Sequence, residues 1–166
     1  MGTAHCTLAE YLDVDFRPDR EFIDGEIRER NAGKTEHARV QALLAAWFAN
    51  HEEEWGIEVG TEWRVRVAED RVRVPDLAIV YAGPKPDVLV DPPLLIIEIL
   101  SPDDTYSDLQ ERAHDYRRMG VKTVWVVDPK TRSGRVCSGN DWVEAERLEV
   151  KDTPLYVELP SIFRRI

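Results

Sequence analysis

The stretch Leu94-Leu95-Ile96-Ile97-Glu98-Ile99-Leu100 constrains this chain more than any other. Its length and aliphatic composition predict a strand buried on both faces, yet a carboxylate stands in its middle. A buried carboxylate is costly unless a cation or hydrogen-bond donors meet it, so Glu98 calls for a partner. Upstream, Arg73-Val74-Pro75-Asp76-Leu77-Ala78-Ile79-Val80 is a second apolar strand that also carries one acid among aliphatic residues. Proline cannot donate to a ladder, so Pro75 puts Asp76 at a strand entrance or a kink. Two acids on neighbouring buried strands suit a hard divalent cation, which takes oxygen ligands. The competing reading is a buried ion pair between Glu98 and an arginine of the following helix, such as Arg112.

The rest of the chain supplies a frame for those strands. Thr7 to Val14 reads as a short helix or turn. Asp24-Gly25 between Arg20 and Arg30 predicts a tight type I′ hairpin, because both residues accept positive φ. Thr35 is the expected N-cap of a helix reaching about Glu53, with Val40, Leu43, Leu44, Trp47 and Phe48 on one stripe and His37 extending it. Glu36 and His37 read as a first-turn acid and a core-edge histidine, or as lining a site. Strands follow at Ile57 to Val67 and Arg71 to Val80, joined at Glu69-Asp70, and a proline-rich loop from Gly83 to Pro93 leads into the Glu98 strand. Thr105 and Asp108 have capping-box spacing for a helix that runs to Met119 and stops at Gly120. The apolar strand Val121 to Val127 completes a strand, helix, strand unit, which predicts a parallel crossover. Short antiparallel strands are expected at Gly134 to Ser138 and Asp141 to Leu148, with the tail from Leu155 to Ile166 docking on the core.

At 166 residues with 43% hydrophobic content the chain can bury a core, and one domain over residues 1–166 is expected. A net charge of −10 argues against broad adhesion to nucleic acid, though a local basic cleft can coexist with an acidic exterior. Cys6 and Cys137 have no CxxC spacing and give neither a disulfide framework nor a zinc signature. No apolar run is long enough to span a bilayer and no signal-peptide pattern is present, so a cytoplasmic location and no membrane partner are expected. Ser101 lacks a G-x-S-x-G elbow, and the four histidines form no HExxH pattern. Core packing accounts for Trp47 and Trp125. Short edge strands are compatible with a symmetric homodimer.

The ordered series Ile23-Asp24-Gly25-Glu26-Ile27, Glu36-His37, Val74-Pro75-Asp76 and Glu98-Ile99-Leu100-Ser101-Pro102 resembles the Uma-type restriction endonuclease family of the PD-(D/E)XK nuclease superfamily. The likeness continues through Asp108, Tyr116, Gly120-Val121, Val124-Trp125 and Val127-Asp128-Pro129. It implies an α/β (α+β) restriction-endonuclease-like core, a mixed sheet of four or five strands flanked by helices. It implies a Mg2+- or Mn2+-dependent phosphodiesterase, foremost a DNA endonuclease, in which Asp76 and Glu98 hold the metal and an activated water attacks phosphorus in line. Glu36 or His37 matches the position of a further site acid. The superfamily lysine expected two residues after Glu98 is replaced by Leu100, and the cation that Uma-type sequences carry four residues after the acid matched by Asp108 is here Arg112. An arginine stabilises phosphorane charge but cannot act as a general base. The alternative is a catalytically inactive nuclease-fold protein that binds nucleic acid or a protein partner.

Overall fold

A computed structural model of the chain describes residues 5–31, 33–138 and 141–166. After α1 (Leu8–Leu12), β1 (Glu21–Ile23) and β2 (Glu26–Arg28) form the expected hairpin, with Asp24 at φ 51° and Gly25 at φ 88°. The helix expected from Thr35 to Glu53 is instead α2 (Thr35–Ala49) followed by a single turn, α3 (Glu52–Trp55). Lys34 occupies the N-cap of α2 without a side-chain bond, so Thr35 is the first helical residue and not the cap.

Each of the two strands expected between Ile57 and Val80 is divided between two sheets. The first becomes β3 (Ile57–Thr61) and β4 (Val65–Ala68), separated by a turn in which Glu62 adopts φ 56°. The second becomes β5 (Arg71–Arg73) and β6 (Leu77–Tyr81), with Val74-Pro75-Asp76 as the crossing point. Proline's missing donor explains why the ladder breaks there. A four-stranded sheet thus runs β2-β1-β5-β4, while β3 and β6 join the larger sheet.

β7 (Leu95–Ile99) is buried at every position, as its composition requires. It pairs antiparallel with β6 and parallel with β8 (Val124–Asp128), and α4 (Tyr106–Met119) makes the crossover. The Thr105/Asp108 capping box is formed and Gly120 closes the helix in the left-handed region. β9 (Ser133–Ser138) and β10 (Asp141–Glu144) extend this sheet to the order β10-β9-β8-β7-β6-β3, six strands against the four or five expected. The strand expected over Asp141 to Leu148 ends early, because β11 (Arg147–Glu149) pairs separately with β12 (Tyr156–Glu158).

The main core lies between the six-stranded sheet and α2, with α5 (Leu159–Phe163) closing it through Leu159, Ile162 and Phe163. Trp125 is fully buried there, whereas Trp47 is half-buried and donates its indole N–H to the Tyr156 carbonyl at 2.6 Å. A second cluster, including Val65, Ile96, Tyr116 and Val124, fills the opposite face of the sheet. Among the described residues, no helix is long and apolar enough to cross a membrane.

Candidate active site

The break between β5 and β6 fixes the place of Asp76, and the parallel pairing of β7 and β8 fixes Glu98. Both acids are 2% exposed, so their charges must be met from within the protein. Asp76 Oδ2 accepts the Ile99 amide at 2.7 Å, across the β6–β7 pair. Asp76 Oδ1 accepts Arg30 Nη2 at 2.9 Å and lies 3.3 Å from His37 Nε2. The Asp76 carbonyl accepts Gln41 Nε2 at 3.0 Å, tying the crossing point to α2. On the neighbouring strand, Glu98 Oε1 accepts the Tyr116 hydroxyl at 2.6 Å and Oε2 accepts Arg112 Nη1 at 3.3 Å.

These contacts push the two carboxyls apart. Burial pulls Asp76 upward, but the hydrogen bond and charge of His37, with Arg30 and the Ile99 amide, reverse this and hold it below the usual carboxylate range. For Glu98 burial dominates; Arg112 and Tyr116 offset only part of it, the Asp76 charge adds to it, and the carboxyl is pushed up to about 7. Burial would lower His37, yet its bond to Asp76 leaves it above the ordinary histidine value.

His37 also opens onto a cleft of about 460 Å³ between the first turn of α2 and the ends of β7 and β8, where Leu100, Ser101 and Asp128 line it. In open α/β sheets, ligands characteristically sit beyond the carboxyl ends of the strands. Neither acid lines the cleft itself, and Asp76 meets it through His37; hollows of about 740 and 670 Å³ elsewhere on the surface include none of Asp76, Glu98 and His37. Glu36 is exposed at the rim of the cleft, so of the Glu36–His37 pair it is the histidine that contacts Asp76. Asp108 is engaged by Thr105, whose backbone and hydroxyl groups donate to its Oδ2 at 3.1 and 2.6 Å, one turn before Arg112.

Sequence reasoning missed Arg30. It lies in the connection ahead of α2, 46 residues from Asp76, and no local pattern marks it. Tyr116 carried a legible signal, since Asp108, Arg112 and Tyr116 recur at four-residue intervals and share one stripe of α4. A second charged cluster also went unseen. Buried Arg73 donates to Glu21 at 2.9 Å and to Asp115 at 2.8 Å, and Arg71 bridges Asp115 and Asp24. Its signal was Arg71 and Arg73 on alternate positions of β5, both on one face.

Asp76 and Glu98 present the oxygen donors that Mg2+ or Mn2+ prefers. Three of their four carboxylate oxygens accept a single hydrogen bond from the described residues, which leaves lone pairs for a cation. Among the described residues no three His, Cys, Asp or Glu side chains are grouped to hold a metal, so water and phosphate oxygens would complete the shell. The donor chemistry therefore fits a divalent ion that shares its coordination with substrate.

A family profile described as "Uma2: Putative restriction endonuclease" matches residues 8–164. The crystal structure of a "putative nuclease" from Anabaena variabilis superposes with a TM-score of 0.83 at 19% identity, covering 96% of this chain and 98% of that chain, and so shares the fold. A DrdV–DNA complex solved by cryo-electron microscopy gives a TM-score of 0.43 at 17% identity over 75% of this chain and 10% of that chain. No curated protein matches.

Proposed function

This chain belongs to the Uma2 restriction endonuclease family, and from that premise we propose that it is a divalent-metal-dependent phosphodiesterase, a DNA endonuclease using Mg2+ or Mn2+. The observation that carries the reading is the buried pair Asp76 and Glu98 on adjacent strands beside the His37 cleft, with their carboxyls held in different states. Asp76, ionised and anchored by the Ile99 amide, would be the fixed ligand, and Glu98 would serve as the second once its proton is lost. A bound divalent cation supplies Lewis acidity toward water and offsets charge building on the phosphate. Arg112 adds permanent positive charge for the same phosphate, in the place where a lysine would otherwise serve. His37 and Arg30 hold the Asp76 carboxylate in one orientation, and the cleft admits the strand to be cut. In this reading residues 1–166 form one restriction-endonuclease-like domain.

A second reading has its own support. Arg30 and Arg112 balance the two acids, and all four carboxylate oxygens accept protein donors, as in a nuclease fold retained for binding nucleic acid or a protein partner. Cleavage of plasmid DNA in Mg2+ and in Mn2+ decides between them. Wild-type protein should nick or linearise the plasmid, and Asp76→Asn and Glu98→Gln should each reduce this at least about a hundredfold while melting as folded proteins, as expected for loss of a metal ligand. Activity retained in either variant, or absent in the wild type under both metals, sinks the endonuclease reading.

A further inference from the structure

The two arginines at the acid pair are not held alike. Arg30 is fixed at both ends of its fork, 2.9 Å from Asp76 and 3.4 Å from Glu62. Arg112 reaches Glu98 from α4 through one contact of 3.3 Å, longer than a well-formed charge-assisted bond. Space is equally unequal. The void at Glu98 measures about 10 Å³ and is lined by Ile99, Leu100, Asp104, Leu109 and Arg112. That is room for roughly one water, not for a cation that brings water and phosphate ligands with it. An arginine keeps its charge at any working pH, so it can yield the Glu98 oxygen only by moving. It has somewhere to go, because Leu100 and Asp104 line both this void and the larger cleft. The acids whose charges act on Arg112 are Glu98, Glu21 and Asp104, and of these Asp104 stands toward the cleft.

We propose that Arg112 is an exchangeable counter-ion: it closes the site by pairing with Glu98 until a phosphate oxyanion in the cleft takes its guanidinium, which frees Glu98 for the divalent cation. The inference rests on the reading of Asp76 and Glu98 as the cation's ligands. Its consequence is positive coupling. An oxyanion tightens cation binding, and by linkage the cation tightens oxyanion binding by the same factor. Metal would then load with substrate and not ahead of it.

Calorimetric titration of Mn2+ into the protein, in sulfate as the oxyanion probe and in chloride at equal ionic strength, tests this without cleavage. In wild type, sulfate should raise Mn2+ affinity about fivefold or more, a coupling of ordinary allosteric size. Arg112→Met should bind Mn2+ more tightly than wild type in chloride and should lose the sulfate effect. Equal affinity of wild type and Arg112→Met in chloride, or an equal sulfate effect in both, overturns the exchange. If Arg112→Met does not fold by its metal-free melting curve, Arg112→Lys takes its place: it keeps the charge without the fork, so the sulfate effect should shrink, and an undiminished effect overturns the proposal. Failure of the exchange alone leaves tight Mn2+ binding that Asp76→Asn abolishes. Absence of Mn2+ binding in wild type and Arg112→Met under both salts overturns the ligand reading with it.

Discussion

Glu98 offers a quantitative test, because a group with its carboxyl near 7 links proton and cation binding. Burial and the Asp76 charge push it up, while Arg112, Tyr116 and Arg30 pull it down. A carboxyl at about 7 is roughly 9% ionised at pH 6 and 91% at pH 8, so affinity for a cation that needs the carboxylate should rise about tenfold over that interval. At pH 7 about half a proton should be released per ion bound. Calorimetry with Mg2+ in two buffers of different ionisation enthalpy reads both quantities. His37, held above its ordinary value by Asp76, pushes in the same direction when it deprotonates, so His37→Asn isolates the Glu98 part. The metal-free protein should show the opposite trend. The folded Glu98 lies above the ordinary 4.5, so its contribution to stability is whole below that value and is lost as pH rises toward 7. Raised His37 adds a fall of the same sign above about 6.5, so the test is made in His37→Asn: its unfolding free energy in chelator should fall by up to about 1.4 kcal/mol per pH unit across that range and level off above it, a slope that adding Glu98→Gln removes. Asp76, held low, contributes in the reverse sense and only in more acidic solution, so it does not mask the trend. Cation affinity flat from pH 6 to 8 in His37→Asn would refute the argument.

Other consequences are nearer to packing. Tyr116→Phe removes the hydroxyl from buried Glu98 Oε1 and should cost about 1–3 kcal/mol in urea unfolding, the penalty for an unmet buried acceptor; no measurable loss would mean that the contact is idle. Arg73→Met strips the shared cation from buried Glu21 and Asp115 and should cost about 3–5 kcal/mol, and a change under about 1 kcal/mol would show the network to be solvated. Gly33 lies so close to His37 that a Cβ there would stand 2.5 Å from Nδ1. Gly33→Ala should therefore swing the ring off Asp76 and drop the His37 titration midpoint in NMR; an unchanged midpoint would show that the loop simply moves aside.

Much was legible from the sequence, and the reasons are local. The Asp24-Gly25 turn, the Thr105/Asp108 capping box and the Gly120 stop depend on φ angles and hydrogen bonds spanning a few residues, so nearby residues suffice to specify them. The aliphatic run at β7 and the crossover through α4 follow from periodicity and chirality. Asp76 and Glu98 stood out because an acid inside an apolar strand is visible against its neighbours.

Arg112 is legible from the sequence as a partner for Glu98, because α4 follows β7 directly, and the structure forms that pair; what tertiary structure alone decided is the rest of the company those acids keep. That Arg30 meets Asp76 across 46 residues, and that Arg73 sits between Glu21 and Asp115, depends on how two sheets and α4 pack together. The division of Ile57 to Val67 and of Arg71 to Val80 between sheets is of the same kind, since either span could have continued as one strand by propensity. A sequence can show that a buried charge needs a partner, because desolvation is a property of the residue and its neighbours. Which distant partner it finds is fixed only when remote segments compete for the same few ångströms, and at Asp76 that competition puts Arg30 against one carboxylate oxygen.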